Sequence, residues 1–176
     1  MDLNGVSVEA ERAIQIDAIG DIGGIGASFT TEETFTMNAA SMTGTLNPFT
    51  NGLEDVTISA KGEITIDAAS GSSHILGNSV IETPSNLLQT AAGDLVLQAA
   101  DVDVEQELVF HAELGSILLD AREMDGNQNL TAVAGDSIIQ ASDVWNITGD
   151  ATFAAGTAAG IVPSIDGTIG FVSGQG

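Results

Sequence analysis

The chain has 176 residues, 25 of them acidic against three Lys and Arg, which gives a formal net charge of −22, and it has no cysteine. This charge argues against binding to nucleic acid or to an anionic membrane, because either partner requires a basic surface. The missing cysteine excludes disulfides, thiolate metal sites and cysteine nucleophiles. The length fits a single domain.

A pentapeptide that alternates apolar and polar residues and ends in Ala recurs about every 21 residues. Alternation of this kind predicts a half-buried β-strand. A fixed repeat of this length predicts a solenoid. We term these copies the first series: Ile14–Ala18, Phe35–Ala39, Val56–Ala60, Leu95–Ala99 and Ile117–Ala121, with Ser137–Ala141 as a looser copy.

Two further series of strand-like segments lie between the members of the first. The second series comprises Ile64–Ala68, Leu87–Ala91, Val109–Ala112, Leu130–Ala134 and Ala151–Ala155. The third series comprises Val80–Ile81, Val102–Val104, Met124 and Val144–Trp145. Gly-Asp turns separate many of these segments, as at 91–94 and 134–137, and such residues favour turns.

Three short strands per repeat predict an all-β, single-domain parallel β-helix with three faces and about 21 residues per coil. The stretch 1–159 has room for roughly seven coils. Residues 160–176 are less repetitive, contain Pro163 and are rich in apolar residues, so we interpret them as a C-terminal cap or docking segment. The first residues have neither the basic nor the apolar region of a secretory signal peptide. A virion protein that is released by lysis needs no export signal.

The segment Ala92–Ala99, with its Gly-Asp turn, resembles the β-helical repeats of filamentous-haemagglutinin-type adhesins. Pairs of units eight residues apart are similar to the octad repeats of bacteriophage tail spikes and type VI secretion spikes: Val6/Ile14, Val56/Ile64, Leu87/Leu95 and Val109/Ile117. Asp166–Phe171 is also similar to the short ends of some phage fibre proteins. The spike resemblance implies an intertwined trimeric β-helix, whereas the more regular period of about 21 residues favours a single-chain helix that trimerises side by side.

These resemblances imply a non-enzymatic structural protein of a bacteriophage virion, as a fibre, spike or decoration subunit that acts through shape and oligomerisation. The implied partners are copies of the chain, with a trimer favoured, other virion proteins and a host-surface receptor. The alternative is a module of a secreted or cell-surface bacterial adhesin or extracellular filament. A carbohydrate-active tail spike is a third interpretation.

Catalysis is not expected from the acidic residues of this chain. The densest run, Asp101–Glu107, places acids at alternate positions of one strand face, and a solvated acidic face is its simplest interpretation. Glycoside hydrolysis requires a carboxylate pair across a sugar-binding groove, and lyase chemistry would use a basic residue, of which the chain has few. We therefore predict that the protein is not an enzyme.

Calcium is the one cofactor that the sequence suggests. Counting along the coils places Asp103 beside Asp125 on the neighbouring rung, and two carboxylates about 4.8 Å apart repel unless a cation or proton lies between them. Oxygen ligands of this type suit Ca²⁺. The spacing from Asp125 resembles a calcium loop, although Leu130 occupies the position that such a loop reserves for Gly. The candidate ligands are Asp103, Asp125, Asn127, Asn129 and Asp136.

Overall fold

A computed structural model describes residues 1–43, 52–98, 100–126, 129–156 and 169–171. Within these ranges the chain forms strands and no helix, so none of the described segments is a helix long and apolar enough to span a membrane. Every named strand pair is parallel, and the strands form three sheets of seven strands each.

The strands are numbered in chain order, and every third strand belongs to the same sheet. The first sheet comprises Ser7–Ala10 (β1), Ser28–Thr31 (β4), Thr57–Ala60 (β7), Val80–Thr83 (β10), Asp101–Val104 (β13), Glu123–Gly126 (β16) and Val144–Ile147 (β19). The second comprises Ile14–Asp17 (β2), Phe35–Ala39 (β5), Ile64–Ala68 (β8), Leu87–Ala91 (β11), Leu108–Ala112 (β14), Leu130–Ala134 (β17) and Ala151–Ala155 (β20). The third comprises Gly24–Ile25 (β3), Leu53–Glu54 (β6), Ser73–Leu76 (β9), Leu95–Gln98 (β12), Ile117–Asp120 (β15), Ile138–Gln140 (β18) and Ile169–Phe171 (β21).

Each coil passes once through all three sheets before the chain returns to the strand beside its starting point. The prediction of a three-faced, single-chain parallel β-helix is therefore confirmed. Six steps between neighbouring strands separate the first and last strands of each sheet, which corresponds to about six complete turns.

The second coil is longer than the others. Ser7 lies beside Ser28, 21 positions on, whereas Phe35 lies beside Ile64, 29 positions on. The extra residues fall between β5 and β6, a stretch that includes 44–51, outside the described residues. Val56 follows Phe35 by 21 positions, yet it directly precedes β7 of the first sheet.

The first series is consequently wrong as a single face. Its members at Ile14 and Phe35 belong to the second sheet, whereas those at Leu95 and Ile117 belong to the third. The second series is confirmed, because all of its members lie in the second sheet, and the third series is confirmed in the first sheet. A constant period cannot follow one face through a coil that has extra residues.

The core is a set of inward-facing columns in which one residue of each rung packs on the equivalent residue of the next. The internal five-residue strands of the second sheet, β5, β8, β11, β14 and β17, bury their first, third and fifth residues, as strand alternation requires. Their fifth residue is always Ala, which leaves room for the chain to turn into the third sheet. This column comprises Ala39, Ala68, Ala91, Ala112, Ala134 and Ala155.

The predicted boundary at residue 159 falls beyond the last strand of the second sheet. Within the predicted C-terminal segment, Ile169–Phe171 pairs with β18 and extends the third sheet. The remainder of that segment lies outside the described residues.

Candidate functional site: an acidic face and the two end coils

The outer surface of the first sheet concentrates negative charge on three successive rungs. Strand alternation sends Ile81 and its equivalents on the next rungs inward and the flanking residues outward, so that two outward columns run side by side. One column continues from Glu82 through Asp103 to Asp125, and the other places Asp101 beside Glu123. We call the acidic residues of these columns the acidic face: Glu82, Asp101, Asp103, Glu123 and Asp125.

Arg122 is the one basic residue whose described ion pair involves the acidic face. Its Nε donates a hydrogen bond to Asp101 Oδ1 at 2.7 Å, and its Nη2 forms an ion pair with Asp101 Oδ2. Its Nη1 donates to Asn78 Oδ1 at 3.3 Å, so one guanidinium connects three successive coils. The hydrogen bond to Asp101, and secondarily the negative charge of that carboxylate, raises the pKa of Arg122 above its ordinary value. Arg122 remains charged at any physiological pH.

The acidic face lines a shallow cleft of about 340 Å³, together with Val80 and Val102. The structure confirms that Asp103 lies directly beside Asp125. Asn129 immediately precedes β17, whereas Asp136 follows β17 and accepts a hydrogen bond from Ser116. The length of β17 thus separates Asn129 from Asp136, and Asn127 lies outside the described residues.

Asn129 and Asp136 therefore do not converge as a linear calcium loop would require. Among the residues that the structure describes, no group of three or more His, Cys, Asp or Glu side chains is placed to hold a metal ion. What remains of the hypothesis is the Asp103–Asp125 pair, for which calcium binding stays a prediction.

Replacement of Asp103 by Asn is expected to increase stability at low salt by about 0.5 kcal/mol, because it removes like charges that lie directly opposite one another on paired strands. If Ca²⁺ occupies the pair, added CaCl₂ will raise the melting temperature of the wild type more than that of Asp103→Asn. Thermal unfolding with CaCl₂ and with a chelator measures both effects. The control is Glu113→Gln, which removes an exposed carboxylate outside the acidic face. An equal calcium response in all three proteins would contradict a site at this pair.

A second groove, which the sequence did not indicate, lies along the corner between the third and first sheets. It has a volume of about 590 Å³, and its lining includes Glu54, Gln98, Asp120, Arg122 and Asp143. Gln98 Nε2 already donates to Asp120 Oδ2 at 3.1 Å, and Arg122 is held by Asp101. The groove collects residues from successive corners, so only the coil register could have revealed it.

The outer faces of the second and third sheets differ from the acidic face. On the second sheet, an outward column runs from Thr65 through Leu88 and Val109 to Thr131. On the third sheet, Val96, Leu118 and Ile139 form another, in which Ile139 is 44% exposed. The second and third sheets thus each carry one uncharged outward column with apolar members, whereas both outward columns of the first sheet contain acidic residues.

The two ends of the solenoid form the other distinctive surface. Among the described residues, several hydrophobic side chains pack against the core while remaining only partly buried, and they belong to the first or last coil: Val6, Ala10, Ile16, Ala18, Ile147 and Phe153. At the N-terminal end, Leu3 N donates to Gly23 O and Gly5 N donates to Ile25 O. Residues 1–5 thus cover the third sheet there, while β1 and β2 remain the edge strands of the other two sheets.

The fold and these surfaces define the class of protein as a three-faced, single-chain parallel β-solenoid. No protein-family model, no curated protein and no solved structure matches the chain.

Proposed function

We propose that this protein is a non-enzymatic structural subunit of a bacteriophage virion, in a fibre, spike or decoration, and that it acts through shape and oligomerisation. The observation that carries the proposal is the set of three sheets, each continuous through seven strands. Such a solenoid is a short stiff rod, because backbone hydrogen bonds along its axis link every rung to the next, at about 4.8 Å per rung. A rod with distinct faces suits an architectural role.

The form that we propose is a homotrimer of side-by-side solenoids. The neutral outer columns of the second and third sheets can approach another copy without stacking like charges, and they contribute half-exposed apolar groups such as Leu88, Val96 and Leu118. The acidic face would repel its counterpart. We therefore expect it to face solvent, and we expect the other contacts to be with virion proteins and a host-surface receptor rather than nucleic acid or membrane.

A module of a secreted or surface-attached adhesin is the alternative, supported by the haemagglutinin-like segment. In the structure, Gly93 and Asp94 form a corner that leads into β12, and Asp94 N donates to Ser72 Oγ of the preceding coil at 2.9 Å. A repeated corner-plus-strand unit of this kind would serve an extended filament equally well.

Localisation in the producing culture separates the two proposals. Antibodies raised against the purified protein would be used for immunogold electron microscopy of purified phage particles and of washed cells from the same culture. Labelling of particles is the expected result. Labelling of the cell envelope, with unlabelled particles, would contradict the virion role and favour the adhesin.

A further inference from the structure

We infer that copies of this chain stack end to end in one direction, with the N-terminal edge of one solenoid continuing the C-terminal edge of another. This inference rests on the proposed structural role and names its partner as a second copy of the same chain. The interface would join β1 and β2 of one copy to β19 and β20 of the next as parallel strands. Repeating the contact generates an open filament rather than a closed ring.

The first argument is the partial exposure of core residues in the first coil and in the last described coil. The partly buried apolar residues of the N-terminal coil include Ala10 and Ile16, and those of the C-terminal coil include Ile147 and Phe153. Within the molecule, the column that contains Ala10 ends at Ile147, and the column that contains Ile16 ends at Phe153. Continuation of the same columns into a second copy would place Ala10 on Ile147 and Ile16 on Phe153. Apolar side chains would then cover one another at both ends.

The second argument is the charge on the outward columns. The outward residues of β19 and β20 are Val144, Asn146, Thr152 and Ala154, all of them uncharged. The outward residues of β1 and β2 are Ser7, Glu9, Gln15 and Asp17. Head-to-tail continuation would place Asn146 beside Glu9, and Ala154 beside Asp17, so that no carboxylate stacks on another carboxylate.

The chain already uses neutral polar partners for carboxylates on neighbouring rungs. Asn38 Nδ2 donates to Asp17 Oδ1 at 2.7 Å, and Gln98 donates to Asp120 one rung on. The proposed pair of Asn146 and Glu9 repeats this arrangement. By contrast, docking of two N-terminal ends would bring Glu9 and Asp17 of both copies into one seam, where like charges repel.

Backbone geometry provides the third argument. An edge strand leaves alternate N–H and C=O groups pointing away from its single neighbour, and such edges pair readily with other strands. β1 has β4 as its neighbour and β2 has β5, so both are edge strands, and among the described residues β19 and β20 are edge strands at the other end. Parallel stacking would give these edges the same ladders that join the internal rungs.

The test is sedimentation velocity of the full chain over a roughly hundredfold range of concentration, since oligomerisation responds to protein concentration. The wild type is expected to form longer assemblies as concentration rises, and added NaCl is expected to promote them by screening the net negative charge. Electron microscopy of the same samples should show rods of uniform width.

Ala154→Asp is the decisive variant, because it would place a carboxylate beside Asp17 of the next copy while its neighbour within the chain is Val133. We expect the association constant to fall about tenfold or more. Val133→Asp is the matched control, since it adds the same charge to the same column one rung inside the molecule, and it should associate more strongly than Ala154→Asp. Circular dichroism and melting temperature would establish that each variant is folded.

The charge swap Asp17→Lys with Ala154→Asp is expected to restore association, because it places opposite charges across the same contact. Failure of the swap to restore it, or equal losses in Ala154→Asp and Val133→Asp, would overturn the inference. A wild type that shows no growth with concentration would overturn it as well, whereas immunogold labelling of particles would still support the structural role. The two proposals can therefore fail separately.

Discussion

Replacement of Phe110 by Ala is expected to lower the free energy of unfolding by about 3–5 kcal/mol. Phe110 lies on β14, is fully buried, and occupies an inward column between Gln89 and Ala132. A narrow solenoid core has no second layer that could collapse into the resulting cavity. Urea-induced unfolding monitored by circular dichroism measures the loss.

The neighbouring residue provides the control for this substitution. Val109 points outward from the same strand and is only half-buried, so Val109→Ala should cost less than about 1 kcal/mol. Similar losses in the two variants would contradict the assignment of inward and outward residues on β14.

Replacement of Gly115 by Ala is expected to lower the free energy of unfolding by about 3 kcal/mol, because the added methyl group has no space. An ideal Cβ at this position would lie 2.5 Å from Gly93 C and 2.6 Å from Asp94 N, which are backbone atoms of the preceding coil. Neither atom can move without displacing a whole corner. We expect the melting temperature to fall in parallel.

Gly20→Ala is the matched control for Gly115→Ala, because no atom lies within 4 Å of a Cβ placed at that corner. It should leave the melting temperature nearly unchanged. Equal stability of Gly115→Ala and Gly20→Ala would show that the rungs do not approach closely at the corner between the second and third sheets.

Much of the fold could be predicted from local patterns. Strand alternation and Ala at the fifth position identified the strands of the second sheet from Ile64 onward, because each five-residue strand there meets its neighbour without an offset. The pattern failed where Phe35 pairs with Ile64 across the long second coil. Similar pentapeptides occur on all three faces, so the sequence alone could not indicate which face a copy joins.

For the candidate metal site, too, the sequence predicted the contact between neighbouring strands but not the path of the chain between faces. Coil counting correctly placed Asp103 beside Asp125, because that step involves two neighbouring strands of known period. The linear loop template failed for Asp136, since the chain forms the whole of β17 before reaching it. A loop motif assumes a local turn, whereas a solenoid carries the chain on to its next face. The hydrogen bond from Arg122 to Asn78 could not be predicted either, because it joins residues that are 44 positions apart in the sequence.

The residues at the two ends of each inward column are identified by the pairing of the strands, and no sequence motif marks them. Their identification required the register of every rung from Ser7 to Val144. One wrong step at the second coil would have exchanged inward and outward residues at an end.

The central claim is that one chain closes its own three-sided coils, with a long second coil, and engineered cysteine pairs test it directly because the chain has no native cysteine. Thr36 and Thr65 are outward neighbours on adjacent rungs, at about 4.8 Å, a separation that a disulfide can span. Thr57 is the position that an uninterrupted period of 21 residues would place beside Thr36, but it lies in the first sheet beside Ser28.

We therefore expect the double variant Thr36→Cys with Thr65→Cys to form a disulfide within a single chain on mild oxidation, as seen by non-reducing electrophoresis and mass spectrometry. The variant Thr36→Cys with Thr57→Cys should remain reduced under the same conditions. Efficient linkage of the 36/57 pair would contradict the register of the second coil. Linkage of the 36/65 pair only between chains would contradict the single-chain coil and indicate an intertwined trimer.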